Sequence, residues 1–315
     1  MSKQIPVVID TDTGVDDALA LIIALKSPEL LIHAVTTVAG NVEVEKCTRN
    51  VLAVLDRIGY AMPVVVAQGA GKPLRRELVT ARDVHGRDGL GDRSLSRRVS
   101  KRRHAAHAVE VLLEACERYG RELAIIALGP LTNVALAWKR NPRALRNVRS
   151  IVTMGGAFRV AGNTGPVAEF NYYVDPEAAR IVLRSGLPVV VVPLDVTEQV
   201  VLFRSELTGR ASSVDRALLD FVSDATAHYM EYHSRSEGFD GCYLHDPIAV
   251  AAVIDPSMVT TREVLVDVET QGTLTRGMTL AYPREQRSGR KTHPHVAHRI
   301  DRERFLSLFH ERLWR

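Results

Sequence analysis

Four aspartates, Asp10, Asp12, Asp16 and Asp17, fall within eight positions of the segment Val8–Leu21, VIDTDTGVDDALAL. They occupy the junction between an apolar run that reads as a buried strand, Ile5–Ile9, and one that reads as a buried helix, Ala18–Lys26. Gly14 lets the intervening turn adopt a positive φ, or lets a ligand approach closely. Capping and the helix dipole explain one carboxylate near a helix N-terminus, Asp16 or Asp17. They do not explain four on one short turn. Like charges this close repel, and some stay protonated unless a cation neutralises them. A hard divalent ion with oxygen ligands, Ca²⁺ or Mg²⁺, is the natural solution.

Other polar groups share that address at the ends of apolar runs. Asn41 follows LIHAVTTVAG, and Gly129-Pro130 follows LAIIAL, which leaves the Leu128 carbonyl free. Met154-Gly155-Gly156 follows SIVT. Glu169 and Asn171 sit in VAEFN, before the helix that Asp175-Pro176 opens, and His245-Asp246-Pro247 begins another helix. Each alone has an ordinary reading: Asn41 as a turn former, Glu169 as surface charge, Asp246 as an N-cap with Pro247 at N1. In open α/β sheets, however, ligands bind beyond the carboxyl ends of the strands. The common address raises the functional reading.

The elements that must position these groups alternate along the chain. Strand-like runs at Leu31–Val38, Pro63–Ala67, Leu123–Leu128, Ile151–Met154 and Pro188–Leu194 are interleaved with helical segments at Val44–Ile58, His104–Tyr119, Thr132–Lys139 and Pro176–Ser185. Continuous apolar strands between helices predict a mainly parallel sheet covered on both faces, a doubly wound α/β fold. Past Asp195 the pattern changes. Ala217–Tyr232 reads as a long helix, Val264–Glu269 and Met278–Ala281 as late strands that could pair, and Asp301–Trp314 as a terminal helix. With no Pro/Ser-rich linker, one domain over residues 1–315 is expected. Val84–Asp92 (VHGRDGLGD) reads as a mobile loop. Arg97–Arg103 (RRVSKRR) reads as a solvated face, because no aromatic residues interleave to stack bases.

Composition excludes several classes. Of 315 residues 46 % are hydrophobic and 25 % charged, ordinary globular usage rather than disorder. A net charge of +4 is too small to argue for nucleic acid, even with a pI near 9.0. Cys47, Cys116 and Cys242 form no disulfide framework or CxxC pair, which points to a reducing cytosol. No apolar run approaches the roughly 18 residues that span a bilayer, and the first residues lack a signal-peptide pattern. A cytoplasmic protein is expected, without membrane or nucleic-acid partners.

Taken together, these motifs resemble the nucleoside hydrolases, the inosine–uridine-preferring N-ribohydrolases. IDTDTGVDDALAL is similar to that family's DTDPGxDDAxAL signature, and the likeness continues through VAGN at 38–41, HGRDGLG at 85–91, GPLTN at 129–133, MGG at 154–156, AEFN at 168–171, DPEAA at 175–179 and HDP at 245–247. The resemblance implies a doubly wound α/β domain, hydrolysis of the N-glycosidic bond of ribonucleosides, one Ca²⁺ and a homodimer or homotetramer. By motif, Asp12, Asp17 (bidentate), the Leu128 carbonyl and Asp246 resemble the Ca²⁺ ligands. Asp12 also resembles the base that deprotonates a calcium-bound water, and Asp10 a carboxylate behind it that orients this water. Asp16, Asn41, Asn163, Glu169 and Asn171 resemble the ribose-binding residues, and Met154 a sugar contact. His245 resembles the acid beside the departing base, suited to the task by an unperturbed pKa of about 6.5. His85 and Tyr232 align with positions near the base.

One residue departs from the signature: Thr13 stands where the family usually has proline, which would fix φ at that turn. The His–Asp–Pro motif favours pyrimidine or broad (inosine/uridine) preference in nucleoside salvage over a purine site built on tryptophans, since Trp138 and Trp314 fall in a predicted helix and the C-terminal tail. Two alternatives compete. Asp10-Thr11-Asp12-Thr13 also looks like the DxDxT motif of haloacid-dehalogenase-like phosphatases, though Asp16-Asp17 and HDP have no place in that plan. A non-catalytic nucleoside- or sugar-binding protein is the other.

Overall fold

The computed structural model describes residues 3–92, 102–208, 215–282 and 293–314. Its first six strands are β1 (Ile5–Thr11), β2 (Leu30–Thr37), β3 (Val65–Gln68), β4 (Ala124–Ala127), β5 (Ser150–Met154) and β6 (Val189–Val192). They lie in the order β3-β2-β1-β4-β5-β6 and pair in parallel throughout, as the alternating pattern requires. Beyond Asp195 come β7 (Val201–Phe203), β8 (Gly241–Tyr243), β9 (Val259–Glu263), β10 (Val266–Val268), β11 (Thr279–Ala281) and β12 (His295–Ile300). The two expected late strands do pair, as antiparallel β10 and β11.

The main sheet holds two strands that the apolar runs do not reveal. β12 adds in parallel to β6, and β9 closes the edge antiparallel to β12. β9 (VTTRE) is an edge strand with only Val259 buried, and β12 buries only Val296, Ala297 and Ile300. Neither shows the continuous apolar run or the clean alternation that marks a strand in sequence.

The helices are α1 (Val15–Leu25), α2 (Val44–Arg57), α3 (Arg82–His85), α4 (Ala108–Tyr119), α5 (Thr132–Arg140), α6 (Pro142–Arg146), α7 (Phe170–Val174), α8 (Pro176–Leu183), α9 (Leu194–Thr197), α10 (Arg204–Thr208), α11 (Arg216–Ser236), α12 (His245–Ile254) and α13 (Arg302–Trp314). Two cores flank the sheet. Val7 and Ile9 of β1 enter one with α1, α2, α11, α12 and α13, while Val8 enters the other with α4, α5 and α8. The period-2 alternation of β1 thus divides its side chains between the two faces.

Two boundaries matter for chemistry. β1 runs on to Thr11 and α1 begins at Val15, so Asp16 and Asp17 lie within the first turn of the helix. The segment read as a mobile loop is instead tethered. His85 ends α3, Leu90 is fully buried, and the Asn50 side chain donates to the Asp88 carbonyl at 2.9 Å. Gly86, Gly89 and Gly91 hold φ near +80°, so these glycines serve a tight backbone path. Residues 97–101 of the basic run lie outside the described residues. Among the described residues no helix is long and apolar enough to cross a membrane.

Candidate active site

The carboxylates converge where β1 gives way to α1. Asp17 accepts from the Thr11 hydroxyl, from the Gly14 amide at 2.8 Å and from the Asn41 side chain at 3.1 Å. Asp12 Oδ2 accepts from the Asn41 amide at 2.8 Å, while Asp12 Oδ1 is buried with no hydrogen-bond partner among the described residues. The chain passes so close here that side chains have no room: a Cβ on Gly40 or Gly129 would come within 2.1 Å or 2.7 Å of the Asp12 carboxylate. Asp10, fully buried, accepts on Oδ1 from Thr36 Oγ1 (2.6 Å) and Asn133 Nδ2 (2.8 Å), and its Oδ2 has no partner among the described residues. Thr13 supplies an amide that proline would lack, and this amide donates to Thr11 Oγ1 at 3.1 Å.

Asp246 reaches the same place from the far side. It is not the cap of α12, since that helix starts at His245 and Leu244 occupies the cap position. One carboxylate oxygen from each of Asp16, Asp17 and Asp246 lies within 4.8 Å of the others, and all three residues are buried. Burial, then the Asp17 and Asp16 charges, holds the Asp12 carboxyl well above the usual carboxylate range. Burial, then Asp16, Asp17 and Asp12, does the same to Asp246. Burial and Asp17 push Asp16 up to about 8, and burial pushes Asp10 up to about 7. Asp17 is raised too, by burial, against the hydrogen bonds from Thr11 and Gly14. Crowded buried carboxyls with two orphaned oxygens fit a hard divalent cation, which takes oxygen ligands and removes the repulsion.

Above this floor opens a cavity of about 270 Å³, near the lower end of the range for small-molecule sites. Asp16, Asn41, His85, Leu128, Met154, Asn163, Glu169, Asn171, Tyr232, His245 and Asp246 all line it. Glu169 caps α7, accepting from the Asn171 amide at 2.7 Å and the Gly156 amide at 2.9 Å, and burial pushes its pKa up to about 7. The Leu128 carbonyl, expected to be free, accepts from Asn171 Nδ2 at 2.7 Å. Asn163 Oδ1 accepts from the Phe170 amide at 2.9 Å. Asp12, Asp17 and Asp10 stand behind the wall and do not line it.

Another part of the wall is aromatic and is largely invisible in the sequence. His233 packs against Tyr229, Tyr232, Phe239 and Tyr243, with ring centroids 4.5–5.6 Å apart. Tyr243 lies 5.3 Å from His245, and His85 stacks on Tyr229 at 5.2 Å. Tyr229, Tyr232 and His233 share one face of α11 at i, i+3 and i+4. That spacing was readable, but nothing in the sequence says that this helix borders the pocket. His85 Nδ1 accepts from the Val15 amide at 3.1 Å, and His245 Nδ1 lies 2.7 Å from the Thr197 hydroxyl. Burial, then neighbouring imidazoles, lowers both histidines to about 3. Both rings are pushed toward the neutral form, which differs from the expectation that His245 keeps an ordinary value. Neither tryptophan lines the cavity. The phosphatase alternative would make Asp10 its nucleophile, and Asp10 is fully buried and held on Oδ1 by both Thr36 and Asn133.

Comparison with known proteins identifies the family. Residues 7–307 match the family model described as inosine-uridine preferring nucleoside hydrolase. The chain is 41 % identical over 310 residues to the pyrimidine-specific ribonucleoside hydrolase RihA of Salmonella typhimurium, covering 98 % of both chains. It superposes on the plant nucleoside hydrolase PpNRh1 with a TM-score of 0.92, 37 % identity and 99 % coverage of each chain. On a purine-preferring ribonucleoside hydrolase from Gardnerella vaginalis the TM-score is 0.91, with 34 % identity and 98 % coverage of each. Matched from end to end by sequence and by fold, the chain belongs to the inosine-uridine preferring nucleoside hydrolase family and is an enzyme of that hydrolytic class.

Proposed function

We propose that this enzyme hydrolyses the N-glycosidic bond of ribonucleosides to ribose and free base, with preference for pyrimidine nucleosides and with Ca²⁺ as its ion. The observation that carries the reading is one cavity that brings buried carboxylates together with histidines and tyrosines. The family match and the pyrimidine-specific RihA relative support it.

Cleavage at the anomeric carbon develops oxocarbenium character on ribose and negative charge on the base. Asp12, Asp17, Asp246 and the Leu128 carbonyl are the residues that would hold the ion, with Asp16 beside them. A divalent cation bound there would acidify a water molecule in the pocket. Asp12, whose Oδ1 has no other partner, takes the proton as general base. Asp10 lies behind it with a spare oxygen. Asp16, Asn41, Asn163, Glu169, Asn171 and Met154 surround the ribose, and fixing the sugar lowers the barrier by several kcal/mol. His245, as a neutral imidazole, offers an N–H to the departing base, and His85 and Tyr232 flank the base.

The same reading makes residues 1–315 one domain, since β12 returns the C-terminal segment to the main sheet. It also makes the protein a cytoplasmic homodimer or homotetramer in nucleoside salvage, and its buried free cysteines suit a reducing compartment.

A panel of uridine, cytidine, inosine, adenosine and p-nitrophenyl phosphate tests the reading. Ribose release is expected to be fastest from uridine and cytidine, with no phosphate release. No ribose from any nucleoside in the presence of Ca²⁺ would leave only a binding protein.

A further inference from the structure

We propose that Thr197 is a positioning residue for the reaction, holding His245 so that Nε2 carries a proton and presents it to the departing base. The inference rests on the role given to His245 above and adds a residue that no sequence motif contains. Thr197 ends α9 and is fully buried, and its hydroxyl lies 2.7 Å from His245 Nδ1.

The direction of that hydrogen bond follows from counting acceptors. The carbonyl one turn back, that of Pro193, receives the Thr197 amide at 3.1 Å. Among the described residues the Thr197 hydroxyl has no other partner than His245 Nδ1. A buried hydroxyl proton with no acceptor is costly, so the hydroxyl donates and a neutral ring accepts at Nδ1. The ring proton of the neutral imidazole then sits on Nε2. Nε2 makes no hydrogen bond to protein among the described residues, and His245 lines the cavity, so this N–H is left for a ligand. An imidazolium would also point Nε2–H into the cavity, with the hydroxyl accepting from Nδ1–H. The one state that Thr197 opposes is the neutral ring with a bare Nε2, which would repel the electron pair that the base carries away.

Thr197→Val keeps the shape and removes the hydroxyl, and Thr197→Ser keeps the hydroxyl. For uridine, whose base leaves poorly, Thr197→Val is expected to lower kcat about 10- to 100-fold with KM little changed. Thr197→Ser should recover most of that loss. With p-nitrophenyl riboside, whose leaving group departs as a stable anion, the fall should be several-fold smaller, because that substrate demands little help at the leaving atom. Nitrogen-15 NMR of labelled histidine is expected to show His245 protonated at Nε2 in the native enzyme and to lose that preference in Thr197→Val. Equal losses on both substrates, failure of Thr197→Ser to recover, or a native ring protonated only at Nδ1 would each overturn the proposal. If the native enzyme released no ribose from uridine, the proposed function itself would fail. An active native enzyme with an equally active Thr197→Val would remove Thr197 alone.

Discussion

At the floor of the cavity burial raises the pKa of Asp12, Asp16, Asp17 and Asp246, and on its aromatic wall burial lowers those of His85 and His245. The cause is the same at both ends, loss of water around an ionisable group, and the sign differs because each group moves toward its uncharged form. The consequences differ as well. The floor has surplus carboxylate oxygens, Asp12 Oδ1 without a partner among the described residues, and could hold a cation. The wall has imidazoles each tied at Nδ1, to the Val15 amide or to Thr197, and is completed by a ligand that meets Nε2. Aspartates crowded on one turn declare themselves in sequence, whereas the wall is assembled from α3, α9, α11, β8 and α12, elements far apart in the chain.

The comparison implies that damage to the two ends can be separated. Asp17→Asn should act on both properties of the floor at once. Ca²⁺ binding should be lost in isothermal titration, and ribose release should fall on the order of 10³-fold or more, the equivalent of several kcal/mol. Full activity of that variant after chelation and calcium repletion would remove Asp17 from the ion site. His245→Ala should leave Ca²⁺ binding intact while lowering kcat on uridine by about 10²–10⁴-fold with little change in KM. An unchanged kcat would remove His245 from the mechanism, and a lost ion site would erase the distinction between the two ends. The smallest effect belongs to the turn between them. Thr13→Pro restores the usual family residue but removes the amide that donates to Thr11 Oγ1, and should cost about 1 kcal/mol in urea unfolding. A stabilised variant would mean that the fixed φ of proline outweighs that hydrogen bond.

What could be read in the sequence follows the same division. Long apolar runs predict the parallel core from β1 to β6, and the crowding of Asp10, Asp12, Asp16 and Asp17 marks a buried carboxylate cluster that could hold an ion. β9 and β12 are not legible in the sequence because the edge position of β9 leaves it largely polar and the mixed burial of β12 breaks up its apolar residues. His245 was visible through its neighbour Asp246, but its lowered pKa was not, because that depends on burial and on His233 and His85 packed from other elements. Thr197, Tyr229, His233 and Tyr243 carry no local signal, since their contacts with the pocket exist only after folding. The glycines of 86–91 looked like a mobile loop because glycine serves mobility and tight turns alike, and only the buried Leu90 beside them decides between the two.

The central claim is that the buried carboxylates at the floor form one site that a divalent cation completes and that the reaction requires. The most direct measurement is ribose release from uridine by exhaustively chelated enzyme, paired with calorimetric titration of Ca²⁺ into the same sample. The account expects activity to vanish on chelation, to return with added Ca²⁺, and to do so in step with the binding of a single ion per chain. Undiminished ribose release from metal-free enzyme, or no ion bound at millimolar Ca²⁺, would contradict it.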